Sequence, residues 1–328
     1  MAETEKVSAL RKLNLVFRFS YTIPFFLASV CGVTFAYLYG DVPLYIAILI
    51  PLTVLFMALF VNFSNDYFDS VSGADDLRFQ GVRDSDEEGV LDTSPIMKKI
   101  YWDGNPVNNG MVTVKQAQGI MVFLVAVCLL LAIPIFLFGG WIIVIFGGIG
   151  LLIAFFYTAP PVNLGARGLG EIAVAVSFFL MVFASYYVAV GEIWSNEVFV
   201  FSMAIGTMVG LMRIVDSMSG QEAHIAAGEK SISVIVGLDR MHIVIKSVLV
   251  VAYIFVAMMA YFDVTYLLLF LTLPVALKGC QVLKEKKKYW ECHVAPLMFL
   301  IALMTELIFL LIMVIQVYYT NDFFATLF

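Results

Sequence analysis

The chain has 328 residues, of which 62% are hydrophobic and 13% are charged, and its formal net charge is −6. Soluble domains average roughly 45–50% apolar and about 25% charged residues, so this composition excludes an ordinary soluble globular protein. It predicts an integral membrane protein surrounded by lipid, and nothing in its charge balance indicates a nucleic-acid partner.

Nine apolar stretches of about the length that crosses a bilayer follow one another along the chain. They cover residues 20–39, 43–62, 118–138, 141–157, 171–190, 198–215, 244–262, 264–282 and 294–318. If the N-terminus is inside, all 19 Lys and Arg residues fall on the cytoplasmic side. The charged residues of the opposite loops are then all acidic. The positive-inside rule therefore predicts an all-α bundle of nine transmembrane helices with the N-terminus inside and the C-terminus outside.

This orientation places three polar connections on the cytoplasmic side, at about 62–117, 157–170 and 213–243. They can converge on one site, whereas the far side has few polar residues. We therefore expect a single membrane-embedded domain over residues 1–328, which is a multi-pass protein of the cell membrane with its site on the cytoplasmic side.

The first of these connections opens on a run of polar residues that directly follows an uncharged apolar segment. If the helix continues, Asn62, Asn65, Asp66 and Asp69 lie on one face of it. A capped, solvated helix end needs fewer polar groups than this, and such groups are costly next to hydrocarbon. Carboxylate and carboxamide oxygens suit Mg²⁺, which binds one or two carboxylates together with substrate phosphates. The run predicts a membrane-embedded site for a metal ion and an anionic substrate.

The third connection holds a second acidic cluster, about 150 residues further along the chain, with Asp216 and Glu222 between Arg213 and Lys230. Two carboxylate clusters that flank a gap suit a diphosphate bridged by metal ions, and the basic residues can take up charge on the departing phosphate. Arg213 also fits a side chain that snorkels to the interface, and Lys230 fits a plain inside-positive anchor. Tyr157, in the second connection, fits the site or the interfacial aromatic belt equally.

Together these motifs resemble the UbiA superfamily of intramembrane prenyltransferases, over roughly residues 15–320. Asn65, Asp66 and Asp69 are similar to the family's Asn-Asp-x-x-Asp motif, and Gly228-Glu-Lys-Ser231 is similar to the close of its second motif. Several segments resemble the menaquinone-pathway branch, which prenylates dihydroxynaphthoate. They are Asn62 with Gly73 and Asp75, Gly110 to Gln116, Tyr157 to Pro161, and Gly168 to Glu171.

The resemblance implies Mg²⁺-dependent transfer of an isoprenyl group from a polyprenyl diphosphate to a dihydroxynaphthoate-like aromatic acceptor in lipid quinone biosynthesis. It implies Asp66, Asp69 and Asp216 as catalytic residues. The metal ligands it implies are Asn65, Asp66, Asp69, Asp216 and Glu222. The substrate-binding residues it implies are Asn62, Arg83, Tyr157, Arg213 and Lys230.

The second motif departs from the family's usual Asp-x-x-x-Asp pattern. Gly220 stands four residues after Asp216, the next acidic residue is Glu222, and the family's last aspartate falls near His224. Either Glu222 or His224 can therefore complete the second metal site.

Five other functions stay open. Within the family the acceptor can be para-hydroxybenzoate, a glycerol-phosphate ether lipid or haem. Outside it, the chain can be a non-enzymatic membrane transporter, which would carry charges at span centres and inverted repeats, or a lipid-binding scaffold.

Overall fold

The structure is a computed structural model that describes residues 16–77, 105–191, 193–219, 221–285 and 290–320. Every regular element in these ranges is helical, as the sequence predicts. In chain order they are α1 (Phe19–Ala36), α2 (Leu44–Ser72), α3 (Val114–Gly139), α4 (Trp141–Phe156), a 3₁₀ turn (Gly165–Arg167), α5 (Gly170–Ala189), α6 (Asn196–Ser219), α7 (Gln221–Ala226), α8 (Ile232–Val236), α9 (Leu238–Phe262), a 3₁₀ segment (Val264–Thr272), α10 (Leu273–Glu285) and α11 (Trp290–Thr320).

Seven of the described segments are long and apolar enough to cross a membrane. They are Leu44–Ser72, Val114–Gly139, Gly170–Ala189, Asn196–Met218, Leu238–Phe262, Val264–Leu283 and Pro296–Val317. Two further apolar helices, Thr22–Ala36 and Trp141–Phe156, are shorter. The protein is therefore a multi-pass, all-helical membrane protein, and the count of nine spans stays a prediction.

One predicted span differs from expectation in its local structure. Residues 264–282 were expected to form one α-helix, but the segment Val264–Thr272 is a 3₁₀ helix that continues into α10. The Asp263 side chain caps its start by accepting a 2.7 Å hydrogen bond from Thr265 N. Pro274 lies in the first turn of α10 and has no N–H to donate to the preceding turn, so the α-helix begins only there.

The first five helices form a closed ring. Each of α1 to α4 contacts the next helix in the chain, and α5 returns to contact α1. α6 packs on the outside of this ring against α5 and is itself covered by α9 and α11. α3, by contrast, buries only 11% of its apolar window, so its outer face is available to lipid.

Small residues bring three of these helices into close contact. A Cβ built on Gly32 of α1 would lie 2.1 Å from the Val182 carbonyl oxygen of α5, and one on Gly206 of α6 would lie 2.6 Å from the Ala175 carbonyl oxygen. Backbones approach this closely only where side chains are absent, as is common between membrane helices. The ring seam between α1 and α5 is therefore tightly packed.

α2 carries the first polar motif because it continues well past the apolar segment. The helix runs from Leu44 to Ser72 and ends at Gly73, whose φ of 72° lies in the left-handed region that suits a glycine C-cap. The residues at 62, 65, 66 and 69 are thus helical, which is the condition on which their common face depends.

The opposite end of the bundle is held by a hydrogen-bond network around Glu197, at the start of α6. Tyr39, which follows α1, donates a 2.8 Å hydrogen bond to Glu197 Oε2, and Tyr266 donates a 2.5 Å hydrogen bond to Oε1. Gln316 of α11 joins the same group through a 3.0 Å bond to Thr265. This network connects four parts of the chain at the end of the bundle opposite the last turns of α2, where the first polar motif lies.

Candidate active site

A cavity of about 700 Å³ lies inside the ring of α1 to α5. Most of its wall is apolar, but one end is lined by charged and polar side chains from all three polar connections and by Arg18, which precedes α1. They are Arg18, Asn62, Asn65, Asp66, Asp69, Asp75, Tyr157, Thr158, Asn163, Arg213, Asp216, His224 and Glu229. The cavity is therefore mostly apolar along its length, and the charged side chains that line it lie at one end.

The four residues of the first motif form one wall of this polar end. Asn62, Asn65, Asp66 and Asp69 all line the cavity from the last turns of α2. Asp66 is 2% exposed and Asp69 is 8% exposed, so neither is a solvated helix-end residue. The structure thus brings the four residues together, and it places two carboxylates inside the protein.

The two carboxylate oxygens of Asp66 differ in their hydrogen bonding. Oδ1 accepts a 2.5 Å hydrogen bond from Nη2 of Arg18, whereas Oδ2 is buried and has no hydrogen-bond partner within the described ranges. Nδ2 of Asn62, one turn earlier, is also buried without a partner there. Unpaired buried polar atoms are costly, and their presence on a cavity wall indicates a site for a ligand.

Arg18 was not among the predicted site residues. It precedes α1 and has a φ of 48° and a ψ of 48°, a left-handed conformation that is uncommon for a residue with a side chain. The sequence shows it only as one basic residue among several before the first span. Its pairing depends on α1 packing against α2, which no local pattern reveals.

Asp75 and Asn105 form hydrogen bonds that connect to the backbone of the first motif. Nδ2 of Asn105 donates to the Asp66 carbonyl oxygen at 2.8 Å and to Asp75 Oδ2 at 2.6 Å. Asn108 donates a further hydrogen bond to Asp75 at 3.3 Å. Asp75 is 4% exposed and lines the cavity, so this part of the motif belongs to the site as well.

The facing wall is built from Tyr157, Arg213 and Asp216. Nε of Arg213 donates a 2.9 Å hydrogen bond to the Tyr157 hydroxyl oxygen, and Nη1 donates a 2.5 Å hydrogen bond to Asp216 Oδ2. Burial raises the pKa of Tyr157 above its ordinary value, although the Arg213 guanidinium acts in the opposite direction. The hydroxyl therefore stays neutral and holds the guanidinium toward the cavity.

Two glycines make room for Tyr157. A Cβ built on Gly170 would lie 3.3 Å from the Tyr157 hydroxyl oxygen, and one built on Gly165 would lie 3.2 Å from its carbonyl oxygen. The segment Gly165 to Gly170, noted in the sequence as a motif, thus has a packing role next to a site residue.

The second acidic cluster is rearranged relative to the prediction. The Asp216 side chain lines the cavity but is 63% exposed. Glu222 is exposed on α7 and does not line the cavity. His224 and Glu229 are both buried, line the cavity and form a close Nδ1 to Oε2 contact. The buried carboxylate on this side is thus Glu229, which the sequence analysis did not select.

Of the predicted substrate-binding residues that the structure describes, Lys230 does not line the cavity. The Lys230 side chain is exposed, and the residue contributes its backbone instead, with N donating to the Ala166 carbonyl oxygen at 2.8 Å. Arg83 lies outside the described residues. Asn62, Tyr157 and Arg213 do line the cavity.

The donors on the α2 wall fit a hard cation that also binds a ligand. Within the described ranges, no three His, Cys, Asp or Glu side chains are close enough to hold a metal ion by themselves. The wall combines two carboxylates with two carboxamides, and Oδ2 of Asp66 is buried there with no hydrogen-bond partner among the described residues. Mg²⁺ is usually held by one or two carboxylates that share it with phosphate oxygens, and this donor set matches that pattern.

The fold is similar to solved structures of a UbiA homolog from Archaeoglobus fulgidus. The structure bound to GPP and Mg²⁺ is 16% identical, with a TM-score of 0.62 over 91% of this chain and 99% of that chain. The structure bound to DMAPP and Mg²⁺ is 18% identical, with a TM-score of 0.58 over 90% and 86%. A third structure of the homolog is 13% identical, with a TM-score of 0.64 over 92% and 99%. At these identities the likeness establishes the shared fold.

Among curated protein sequences, none matches this chain. The sequence profile of the UbiA prenyltransferase family matches residues 24–303, which is most of the chain and includes all three polar connections. The chain therefore belongs to the UbiA prenyltransferase family, and the protein is a prenyltransferase.

Proposed function

We propose that this enzyme transfers an isoprenyl group from a polyprenyl diphosphate to an electron-rich carbon of an aromatic acceptor, in a reaction that depends on Mg²⁺. One observation carries the proposal. A long, mostly apolar cavity ends in two Arg–Asp pairs, Arg18–Asp66 and Arg213–Asp216, and one oxygen of Asp66 has no hydrogen-bond partner among the described residues. A molecule with an apolar tail and a charged diphosphate head matches both parts of this cavity.

Mg²⁺ would be held by Asp66 and Asp69, together with Asn62 and Asn65. The similar structures bound to Mg²⁺ with GPP or DMAPP support the use of this ion. When bound, the ion neutralises charge on the diphosphate and improves it as a leaving group. Asp216 is the candidate ligand on the facing wall. Glu229 is a better candidate than Glu222 there, because it is the buried carboxylate that lines the cavity.

Arg18 and Arg213 would bind the diphosphate oxygens from opposite sides, since charge-assisted hydrogen bonds to phosphate are strong and directional. Tyr157 orients Arg213 through its hydroxyl. As the carbon–oxygen bond breaks, the electron pair leaves with the diphosphate and an allylic cation remains in the apolar part of the cavity. The acceptor carbon then attacks this cation, and the ring regains its aromaticity by releasing the proton of that carbon to solvent. The apolar wall limits capture of the cation by water.

The proposed acceptor is a dihydroxynaphthoate-like ring, which would place the enzyme in lipid quinone biosynthesis. The support is the motif resemblance to the menaquinone-pathway branch. A glycerol-phosphate acceptor would bring a second phosphate group and would need further cations. The described wall of the cavity contributes only Arg18 and Arg213 as permanent cations, and both face an aspartate. An acceptor without a phosphate group suits this wall better.

We further propose nine spans, with the N-terminus and the polar end of the cavity on the cytoplasmic side of the cell membrane, in one domain. The charge distribution of the connections supports this orientation. Two single substitutions, Gly40→Cys and Lys115→Cys, test this orientation because the two positions lie at opposite ends of the bundle. In intact cells an impermeant thiol reagent should label only the first, and a tag at the C-terminus should be detected outside. The reverse labelling pattern would overturn the orientation.

The function is tested with purified protein in nanodiscs, supplied with geranylgeranyl diphosphate and a panel of acceptors that includes dihydroxynaphthoate and para-hydroxybenzoate. Mass spectrometry of the product and an assay of diphosphate release are run with Mg²⁺ and with a chelator. Metal-dependent product with dihydroxynaphthoate supports the whole proposal. Product with another acceptor only would reject the acceptor, and folded protein without turnover on any substrate would reject the reaction.

A further inference from the structure

The cavity is long enough to hold several isoprene units. On α2 its wall extends from Asp69 at the polar end to Ile50, 19 residues away along one helix. This separation corresponds to about 28 Å at about 1.5 Å per residue. The cavity thus extends over nearly the whole hydrocarbon thickness of a bilayer, which is about 30 Å.

The remote end of the cavity is closed by apolar side chains. Phe136 of α3, Ile143 of α4 and Val188 of α5 line it there. α3 and α5 are in contact at this level, because a Cβ built on Gly139 would lie 3.0 Å from Val188 Cγ1. The closed end limits the length of a chain that lies straight in the cavity.

Between the two ends of the cavity, the part of the wall that α4 forms has a gap at two positions that carry no side chain. Gly147 and Gly148 both line the cavity, and a Cβ built on either would meet no heavy atom within 4 Å. Glycine is a poor helix former, so two in succession in a helix interior carry a cost to stability. Close helix packing does not explain this pair, since nothing occupies the space beside them. The gap therefore enlarges the cavity.

The position of this gap can be compared with the units of a prenyl chain. Gly148 precedes Tyr157, at the polar end, by nine residues of the α4 segment, or about 14 Å. An isoprene unit adds four chain bonds of about 1.5 Å, and thus at most about 5 Å of length. The gap lies at the level of the third unit, and the closed end lies beyond the fourth.

We propose that Gly147 and Gly148 set the chain length of the substrate, by keeping open the part of the cavity that the third and later isoprene units occupy. The substrate class is then a prenyl diphosphate of at least four units. This inference rests on the proposed function, because it assigns the tail of the same substrate. The length is measured from the level of Tyr157, which lines the polar end of the cavity.

The test compares geranyl, farnesyl and geranylgeranyl diphosphates with the wild-type protein and with Gly148→Phe. The readout is kcat/KM for diphosphate release, which is measured for each chain length with the same acceptor. The wild type should favour geranylgeranyl diphosphate. Gly148→Phe should lose about 100-fold with this substrate while it stays within about threefold of the wild type on geranyl diphosphate, since an added ring blocks only the third unit.

Gly119→Phe is the matched control, because Gly119 is an exposed helical glycine of α3 that lies outside the cavity and has open space at its Cβ. It should leave the preference for chain length unchanged. Gly147→Leu is a smaller second variant, which should shift the preference in the same direction if Gly148→Phe does not fold. At the closed end, Phe136→Ala should increase the use of a chain of five or more units.

The outcomes separate the two proposals. If the folded wild type releases no diphosphate from any chain, the proposed function fails and the inference fails with it. If the wild type is active but both glycine variants keep the wild-type ratio between long and short chains, only the length assignment is overturned. A selective loss of the long substrate supports it.

Discussion

Nη2 of Arg18 lies 2.5 Å from Oδ1 of Asp66, while Oδ2 of the same carboxylate is buried without a hydrogen-bond partner among the described residues. One oxygen is therefore balanced by a guanidinium, and the other is buried in the wall of the cavity that Asp66 lines. A second pair, Arg213 with Asp216, has the same separation on the facing wall. The polar end thus presents two guanidinium groups, each held by a carboxylate.

Asp66→Asn and Asp69→Asn should each lower kcat by at least about 100-fold, because each removes a charge from the wall that would hold the metal ion. Turnover is measured with geranylgeranyl diphosphate across a range of Mg²⁺ concentrations. Asp76→Asn is the control, since Asp76 is an exposed carboxylate near the same helix end that does not line the cavity. Near-normal turnover in both cavity variants would contradict the assignment.

Arg18→Gln should have opposite effects on the two ligands. Without the guanidinium, the affinity for Mg²⁺ alone should rise by up to about tenfold, because a cation beside Asp66 is removed. The affinity for the diphosphate should fall by about tenfold, because a charge-assisted hydrogen bond is lost. Calorimetric titration measures both, and Arg18→Lys should restore part of each effect. If both affinities move in the same direction, Arg18 does not have this double role.

The same Arg18→Gln protein should be less stable in the absence of ligands. The Asp66 side chain is 3% exposed and would lose its charged partner. Leaving a buried charge uncompensated costs about 1–3 kcal/mol here, less than for a fully buried pair because the Arg18 side chain is 29% exposed. Thermal unfolding in detergent should show a lower midpoint. A saturating concentration of Mg²⁺ should reduce the difference, and an unchanged midpoint would speak against the pair.

Tyr157→Phe should raise KM for the diphosphate by roughly fivefold while changing the unfolding midpoint little. The hydroxyl accepts the Nε hydrogen bond of Arg213, and such a bond contributes about 1 kcal/mol. Arg213 keeps its bond to Asp216 and so stays in place, but it is less well oriented. Tyr187→Phe, outside the cavity lining, should leave KM unchanged. Equal effects of the two variants would contradict an orienting role.

Glu306→Leu should raise the stability of the protein. Glu306 is fully buried in α11, and neither of its side-chain oxygens has a partner among the described residues. A carboxyl group in such a position is costly even when it is protonated, and an apolar residue of similar size removes that cost. We expect a higher midpoint of thermal unfolding by a few degrees with turnover retained. A clear loss of stability would show that Glu306 has a partner in the folded protein.

Glu197→Gln should lower the stability of the protein. Both Glu197 oxygens accept hydrogen bonds from tyrosine hydroxyls, and an amide group can accept only through its oxygen. One hydroxyl would then accept a hydrogen bond from the NH₂ group and no longer donate to a charged oxygen, and the lost charge-assisted bond costs about 1–3 kcal/mol. The midpoint should fall while kcat and KM change little, since the network lies at the far end from the site. A change in KM without a change in the midpoint would contradict this account.

The sequence predicted the helical architecture and the first wall of the site well, because both follow from periodicity. An uncharged apolar run predicts a membrane helix, and a spacing of three and four residues predicts a common helix face. Asn62, Asn65, Asp66 and Asp69 line the cavity for this reason. The family resemblance, which rests on the same residues, is confirmed by the match over residues 24–303.

The second wall was harder to predict because the chain leaves regular periodicity there. α6 ends at Ser219, and the short α7 begins at Gln221, so the direction of a side chain after this break cannot be counted from Asp216. Glu222 is exposed in the structure, whereas Glu229, beyond a further turn, is buried in the cavity wall. The pairing of Arg18 was missed for a related reason, since it depends on contact between two helices.

The Arg18–Asp66 pair also bears on how the protein enters the membrane during synthesis. An aspartate inside a membrane helix costs about 2.5–3.5 kcal/mol at insertion, and a charged partner reduces that penalty. Arg18 directly precedes α1, Asp66 lies in α2, and α1 contacts α2 in the folded protein. The helical hairpin can therefore be integrated with its most costly carboxylate already neutralised, before the ribosome has made the three helices that later enclose it.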